Sequence, residues 1–342
     1  MCGGNSLSGE ENMKNRVISA FLIFFLFVAL VTVASAGTET QLTQDELLTS
    51  GISFYDNHVF WTESAGNGVH AYDLTTRKRT DIKGGRAAES RTYTHGNKVV
   101  WTDADVKADS VYMYDVSTGN KTKIASERRA PDIYGNYIVY TDSNYYSGQD
   151  HQNDGIDHQN DGIYLYNLNT NNETKIVTVN GYPAIYDKTV VWSQANNSGG
   201  YDICMYDICT HQTSTITTTN SSGYESQGLD IYGNVVVWIE LGNLHMYDIT
   251  AHKVTQVTNS GNATDPAIYG KRIVYTLNRP HSFGVGDIYM YEMSTAKTTR
   301  ITTSTCASNP SIYGDKIVYA DGRNSESPDV RDIYLYDLKP KN

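Results

Sequence analysis

The stretch Pro310-Ser-Ile-Tyr-Gly-Asp-Lys-Ile-Val-Tyr-Ala-Asp321 decides the fold, because the chain repeats it. Close copies occupy residues 266–275 and 131–140. After a variable gap comes a second phrase, Asp332-Ile-Tyr-Leu-Tyr-Asp-Leu338, which residues 287–293 echo. Self-similarity of this kind is the sequence signature of a repeat architecture, and it takes precedence over local secondary-structure signals.

Each repeat predicts a four-stranded antiparallel unit. Gly314-Asp315 stands between two runs of apolar and aromatic residues, which is a β-hairpin signal. The second run, residues 317–319, is a continuous apolar triplet, as expected for a strand that is covered on both faces. The phrase at 332–338 supplies a third strand, and a polar stretch such as residues 254–258 supplies a fourth.

The aromatic residue that ends each second strand counts the repeats. It occurs seven times, at Trp61, Trp101, Tyr140, Trp192, Trp238, Tyr275 and Tyr319. Four strands in roughly 40 to 50 residues are typical of a β-propeller blade. The sequence therefore predicts an all-β protein, a seven-bladed β-propeller of four-stranded antiparallel blades.

The two ends of the repeat region complement each other. The seventh repeat stops after its third strand, whereas residues 40–43, Thr-Gln-Leu-Thr, match the fourth strand at residues 255–258, Thr-Gln-Val-Thr. We therefore expect residues 38–43 to complete the last blade and close the ring. Closure removes exposed sheet edges, which would otherwise pair with other chains.

The N-terminal region predicts export. Lys14 and Arg16 precede an uncharged run over residues 17–33, and residues 34–36, Ala-Ser-Ala, follow it. This is the pattern of a secretory signal peptide. We interpret residues 1–12 as an over-extended start, 13–36 as the signal peptide and 37–342 as the propeller. A retained membrane anchor is the alternative, although 17 residues are at the short limit for a span.

Charge and sequons indicate an extracellular or cell-surface protein. The formal net charge of −11, without basic clusters, argues against nucleic acid and anionic membrane partners. We expect no membrane insertion after signal cleavage, and a cell-envelope protein or glycan as partner. Five Asn-x-Ser/Thr sequons are candidate glycosylation sites. They are Asn120, Asn172, Asn196, Asn220 and Asn262.

The repeats resemble the TolB-like propellers, most closely the Tyr-rich repeats of archaeal cell-surface and surface-layer-associated proteins. The resemblance rests on Pro-x-Ile-Tyr-Gly-x-x-Ile-Val-Tyr-x-Asp and Asp-Ile-Tyr-x-Tyr-Asp-Leu, and it covers nearly all of residues 38–338. The first two repeats depart from it, with Phe54-Tyr55 and Thr94-His95 in place of Ile-Tyr. The resemblance implies the fold and leaves the chemistry open, because the motif consists of packing residues.

Candidate binding residues concentrate on one face of the predicted ring. The loops between second and third strands vary most in length, and we call their side the variable-loop face and the other side the short-turn face. A carboxylate stands two residues after the aromatic in five repeats: Glu63, Asp103, Asp142, Glu240 and Asp321. These form either a ring of acceptors for a divalent cation or sugar hydroxyls, or caps for strand ends. Tyr145, Tyr146 and Phe283 are aromatics outside the repeat pattern that could stack on sugar rings.

Sequence motifs favour binding over catalysis. We find no Gly-x-Ser-x-Gly, His-Glu-x-x-His or phosphate-binding glycine loop, and so name no catalytic residue. The only candidate cofactor is a divalent cation. The predicted function is a non-enzymatic binding module of the cell envelope. Two alternatives stay open: a carbohydrate-active enzyme, since some TolB-like propellers are polysaccharide lyases that hold a metal with clustered histidines, and a structural surface-layer component.

Signal cleavage gives the first prediction. The mature protein is expected to begin near Gly37, because Ala34-Ser-Ala36 is a small-residue cleavage motif. Mass spectrometry of the exported protein checks this. A mass that retains residues 17–33 would contradict cleavage and favour the membrane anchor.

Overall fold

The computed structural model describes residues 32–33, 37–44, 49–63, 68–82, 86–87, 91–104, 109–142, 161–179, 181–219, 228–280, 284–325 and 330–339. From Val31 onward the chain forms one compact unit. The described residues form strands and turns, and contain no helix long and apolar enough to cross a membrane.

The strands build seven blades. Within each blade the strands are given in order from the axis outward. Blade 1 contains β3 (Thr49–Tyr55), β4 (His58–Glu63), β5 (Val69–Asp73) and β6 (Lys78–Ile82). Blade 2 contains β7 (Arg86–Ala87) and β8 (Tyr93–His95), which both pair with β9 (Lys98–Ala104), then β10 (Asp109–Asp115) and β11 (Asn120–Ser126). Blade 3 contains β12 (Arg128–Tyr134), β13 (Tyr137–Asp142), β14 (Ile163–Asn167) and β15 (Asn172–Val177).

The remaining blades repeat this order. Blade 4 contains β16 (Tyr182–Tyr186), β17 (Thr189–Ala195), β18 (Tyr201–Asp207) and β19 (Gln212–Thr218). Blade 5 contains β20 (Asp230–Tyr232), β21 (Val235–Glu240), β22 (Asn243–Asp248) and β23 (Lys253–Gln256). Blade 6 contains β24 (Ala263–Tyr269), β25 (Arg272–Asn278), β26 (Gly286–Glu292) and β27 (Lys297–Arg300). Blade 7 contains β28 (Ala307–Tyr313), β29 (Lys316–Asp321), β30 (Asp332–Asp337) and β2 (Thr38–Gln41).

The first strands form a closed circle around the axis. Each contacts the first strands of both neighbouring blades, and β28 of blade 7 contacts β3 of blade 1. The predicted seven-bladed propeller is therefore confirmed.

Second strands are buried on both of their faces, as their apolar triplets predict. In β13, Ile138, Val139 and Tyr140 are all fully buried. Ile138 and Tyr140 pack against blade 2, whereas Val139 packs against blade 4. Successive strand residues point to opposite faces, so one triplet serves two interfaces. Seven hydrophobic clusters among the described residues result, one between each pair of adjacent blades.

The N-terminal strand closes the ring, as the sequence predicts. Thr38 to Gln41 pair antiparallel with Asp337 to Tyr334. Just beyond, the Thr43 hydroxyl donates to the Asp332 carboxylate at 3.0 Å and accepts from the Ile333 N–H at 3.0 Å. A separate two-residue strand, β1 (Thr32–Val33), pairs in parallel with β27 and lies upstream of the expected cleavage site.

Stereotyped turns form the short-turn face. The turn between first and second strands has two residues, and the first has a positive φ in all seven blades. It is glycine in five blades, for example Gly135 with φ 58°, where the lack of a Cβ makes the conformation inexpensive. Asp56 and Asp187 adopt the same conformation in blades 1 and 4.

Ring closure gives the second prediction. A chain that begins at Leu47 lacks β2, exposes the edge of β30 and should lose several kcal/mol of folding free energy through lost burial and pairing. Thermal melting against a chain that begins at Gly37 measures the effect. Equal melting temperatures would contradict closure by β2.

Candidate functional site

A closed ring of seven aromatic side chains, which we call the aromatic collar, surrounds the axis at the short-turn face. Each blade contributes the last residue of its first strand. The members are Tyr55, His95, Tyr134, Tyr186, Tyr232, Tyr269 and Tyr313. Neighbouring ring centroids lie 4.3 to 5.0 Å apart around the whole circle, including the step from Tyr313 back to Tyr55.

The collar rings stand edge-on to the axis. Planes of neighbouring rings differ by 51° between Tyr186 and Tyr232 and by 52° between Tyr269 and Tyr313, about one seventh of a turn. At these short spacings only a spoke-like arrangement avoids overlap. Hydroxyl hydrogen bonds link Tyr186 to Tyr134 and Tyr232, and burial together with these bonds raises the pKa of Tyr186. His95 is the one collar residue that is not a tyrosine. Burial lowers its pKa, and so does the charge of Lys98.

Behind the collar lies the axial cavity, with a volume of about 250 Å³. Its floor is the collar, and its walls are the first strands. Among the residues described, its charged and phenolic wall residues are Arg91, Tyr93, Asp132 and Asp230. Because first strands run from the variable-loop face to the short-turn face, these residues, which precede the collar in sequence, lie toward the variable-loop end.

Asp132 and Asp230 join neighbouring blades inside this cavity. The Asp132 carboxylate accepts the N–H of Ile133 at 2.7 Å and that of Ile185, in blade 4, at 2.8 Å. Asp230 likewise accepts the N–H of Ile231 at 2.8 Å and that of Ile268, in blade 6, at 2.9 Å.

Burial raises the pKa of both carboxyl groups. It raises the pKa of Asp132 to about 8, against the opposing effect of the backbone hydrogen bond from Ile185, and the Asp230 charge adds to the rise. It raises the pKa of Asp230 to about 6, against the backbone hydrogen bonds from Ile268 and Ile231 and the charge of Arg91. Burial therefore favours the protonated form of both carboxyl groups, and more strongly for Asp132 than for Asp230.

An ion pair spans the channel above these carboxyl groups. Arg91 Nη2 donates to Asp265 Oδ1 at 2.6 Å, which joins blade 2 to blade 6, three places away in a ring of seven. Both residues stand four positions before a collar residue, His95 or Tyr269, so at the rise of a β-strand they lie roughly 13 Å along the chain from the collar. Arg91 lines the cavity and has 31 % of its side chain accessible.

Four of the five predicted carboxylates belong to a recurring cluster that we call the aromatic–cation unit. It consists of a second-strand aromatic, the third-strand ring stacked on it, a base beside these rings and the carboxylate. The units are Trp61, His70, Arg79 and Glu63 in blade 1; Trp101, Tyr112, Lys121 and Asp103 in blade 2; Tyr140, Tyr164, Arg128 and Asp142 in blade 3; and Tyr319, Tyr334, Arg323 and Asp321 in blade 7.

The geometry of these units is similar in the four blades. Stacked ring centroids lie 5.4 to 6.3 Å apart. The base lies 3.9 Å from the Tyr164 centroid in blade 3 and 4.4 Å from that of Tyr334 in blade 7. Arg128 then reaches Asp142 at 3.0 Å, and Arg323 reaches Asp321 at 2.6 Å. These carboxylates already have a basic partner in their own blade, and a role in ligand binding stays a prediction.

The other candidates are distributed differently. Glu240, the fifth carboxylate, is half-buried on β21. Tyr145, Tyr146, Phe283 and Asn220 lie outside the described residues. Asn120, Asn172 and Asn262 are exposed. Asn196 is half-buried, and its amide donates to Asp202 at 3.3 Å and to the Thr219 carbonyl at 3.2 Å, bonds that a glycan on this nitrogen would disturb.

Within the described ranges, no three His, Cys, Asp or Glu side chains come together in a way that could hold a metal ion.

Sequence analysis missed the axial cavity. Asp132 and Asp230 occupy the same repeat position, two residues before the collar tyrosine, where Ser53, Ala184 and Ser311 stand in other blades. That recurrence was a usable signal. Arg91 carried no such signal, because its partner Asp265 is 174 residues away.

Comparisons with known proteins support the fold. No family model matches the chain, and no curated protein matches it. Among solved structures, an oligogalacturonate lyase in complex with manganese aligns over 90 % of this chain and 95 % of its own, with a TM-score of 0.60 and 14 % identity. The β-propeller domain of the Trilobed protease from Pyrococcus furiosus aligns over 91 % and 98 %, with a TM-score of 0.61 and 10 % identity. A streptogramin B lyase aligns over 88 % and 98 %, with a TM-score of 0.60 and 11 % identity.

This chain shares their β-propeller fold. The expected propeller is thereby supported, and at these identities the likeness extends to the fold alone. Whether the chain is of the archaeal cell-surface type stays a proposal.

Buried Asp132 gives the third prediction. Its pKa is raised above the unfolded value, so the native state binds more protons and loses stability as pH rises from about 4 to about 8. The free energy of unfolding of the wild type, minus that of Asp132→Asn, should therefore fall between pH 5 and pH 8.5, by on the order of a few kcal/mol.

Denaturant titrations of both proteins across this pH range measure the difference. Subtracting the Asp132→Asn curve removes the contribution of other titrating groups. Parallel stability profiles would contradict the assignment.

Proposed function

We propose that this chain is an exported β-propeller that acts as a non-enzymatic binding module of the cell envelope, with a glycan as its ligand. The single observation that carries the proposal is the axial cavity, where donors and acceptors from several blades converge on one space of about 250 Å³. A concave site with a few convergent polar groups is the usual form of a small-ligand site.

The polar groups of this cavity suit sugar hydroxyls, which both donate and accept hydrogen bonds. Arg91 supplies N–H donors beyond the one that it gives to Asp265. Tyr93 is a phenol with its pKa raised to about 12 by burial, so it stays a donor at neutral pH. The carboxyl groups of Asp132 and Asp230 add acceptors, and each adds a donor when it is protonated.

The variable-loop face is the side from which we expect a ligand to enter. The aromatic collar stands across the axis at the other face, so access from there is restricted by rings 4.3 to 5.0 Å apart. Tyr145, Tyr146 and Phe283 belong to loops of the variable-loop face in the sequence interpretation, and we propose them as outer stacking positions for further sugar units.

A glycan titration gives the fourth prediction. The exported protein is screened against neutral and uronic-acid oligosaccharides, and the tightest-binding one is titrated calorimetrically. Tyr93→Phe and Arg91→Gln should each weaken its binding about tenfold, the effect of losing one or two hydrogen bonds. Asp187→Asn, in an exposed turn of the short-turn face, is the control and should bind as the wild type does.

Two outcomes count against the proposal. Unchanged affinity in both cavity variants, with melting temperatures near that of the wild type, would exclude the axial cavity as the site. Cleavage of any of these oligosaccharides, detected as new chain ends, would favour the alternative of a carbohydrate-active enzyme.

A further inference from the structure

Blade 5 contains an aromatic–cation unit without its cation. Trp238 and His245 stack with centroids 5.6 Å apart and planes 18° apart, like the pairs of the four complete units. Glu240 stands two residues after Trp238, in the position of Glu63, Asp103, Asp142 and Asp321. Among the residues described, no base pairs with Glu240.

The positions that supply a base in other blades carry neutral residues here. Arg79 and Lys121 stand opposite the third-strand residues Tyr72 and Tyr114, and the equivalent residue of blade 5, opposite Tyr247, is Val254. Gln256, opposite His245, donates its amide to the Thr258 carbonyl at 2.7 Å.

The only lysine or arginine in strands β20 to β23 is Lys253, which stands opposite Asp248, at the other end of the blade from Glu240. Residues 189–252 contain no lysine or arginine at all. The same 64 residues contain six acidic side chains: Asp202, Asp207, Glu225, Asp230, Glu240 and Asp248. Their formal charge of −6 is more than half of the −11 of the whole chain. This sector therefore attracts a cation from outside the molecule.

Blades 4 and 6 also lack a complete unit, but in both of them the carboxylate itself is replaced. In blade 4 the carboxylate is replaced by Gln194, which accepts a hydrogen bond from Trp192 Nε1 at 2.8 Å. In blade 6 it is replaced by Leu277, and the base Arg300 pairs with Asp287 at 2.6 Å. Blade 5 alone, within the part of the chain that is described, keeps the acid and lacks the base.

The hydrogen-bonding state of His245 also suits an incoming ammonium or guanidinium group. Its Nδ1 lies 3.1 Å from the Asn243 carbonyl oxygen, which can only accept, so Nδ1 carries the proton. In that tautomer Nε2 is an acceptor. An acceptor nitrogen, a carboxylate and stacked rings together are what a cationic side chain needs.

Exposed apolar side chains border the same unit. Only three large hydrophobic residues are exposed in the described part of the chain, and two of them, Leu241 at 62 % and Val254 at 41 %, adjoin it. Leu241 follows Glu240 directly, and Val254 precedes Gln256 by two residues on β23. Such surface can pack against the aliphatic part of a lysine or arginine side chain.

We propose that the blade 5 unit binds a lysine or arginine side chain of a basic partner protein, which completes the aromatic–cation unit from outside. The charged group lies between Glu240 and His245, and the aliphatic stem lies on Leu241 and Val254. This site is separate from the axial cavity and does not depend on the proposed glycan function.

An acetylated pentalysine peptide serves as the probe, titrated calorimetrically into the exported protein at low ionic strength. Glu240→Gln should weaken binding about tenfold, because it removes a charge-assisted contact. Val254→Arg places a base where Arg79 and Lys121 have theirs, so it should fill the unit from within and abolish binding. Asp56→Asn removes one charge from an exposed turn on the short-turn face and should leave the affinity within twofold of the wild type.

Two kinds of binding result would contradict the proposal. Equal affinities for the wild type and Glu240→Gln, or no saturable binding of pentalysine by the wild type, would overturn it. Loss of binding in Glu240→Gln with full binding in Val254→Arg would also overturn it, because the lysine would then lie away from the aromatic pair. Thermal melting of each variant confirms that it is folded.

Discussion

Burial of the second strand on both faces is the constraint on which the rest of the structure depends. A triplet such as Ile138-Val139-Tyr140 has no solvent-facing side chain, and its members pack against two different neighbouring blades. A single blade therefore cannot bury its own apolar surface, and each interface requires the next one. Only a ring satisfies all interfaces, because any open array leaves two triplets exposed at its ends. Packing of blade 7 against blade 1 covers those two triplets, and pairing of β2 with β30 fastens the N-terminal segment to blade 7.

The aromatic collar and the axial cavity both follow from ring closure. Once seven first strands meet around one axis, their last side chains must share a small space, and seven spoke-like rings fill it by stacking and by hydroxyl hydrogen bonds. Farther along the same strands, small residues such as Ser53 and Ala184 leave the cavity open. The polar side chains that remain there are held by contacts between blades, since Asp132 and Asp230 each accept an N–H from the following blade. Ligand recognition in the proposed function thus uses groups that the ring itself keeps in place.

The fold could be predicted almost completely from sequence, whereas the site could not. Blade number, strand order and closure are local or periodic features of the sequence. Residues such as Gly314 in a turn, Trp238 in a second strand and Thr43 in the closing segment indicate them directly. The carboxylates two residues after the aromatic were also visible, but their basic partners were not. Arg79 comes from a fourth strand, Arg128 from a first strand and Arg323 from a loop, so no fixed spacing identifies the pair. The Arg91–Asp265 pair is harder still, because it exists only when blades 2 and 6 face each other across the closed ring.

Repetition explains how such a molecule can acquire separate sites without losing its fold. Packing residues must be kept in every blade, because each triplet serves two interfaces. The outer part of a blade takes part in no such interface, so its residues can change more freely. Blades 1, 2, 3 and 7 place a base beside their stacked rings from three different parts of the chain, which indicates that the outcome, a neutralised carboxylate beside an aromatic pair, matters more than its source. Blade 5 retains Glu240 at the half-buried end of β21, although no base of the described residues pairs with it. Blade 4 shows that the carboxylate itself is dispensable for packing, since Gln194 stands in the same place. Glu240 is therefore better explained by an external cation than by the requirements of the blade.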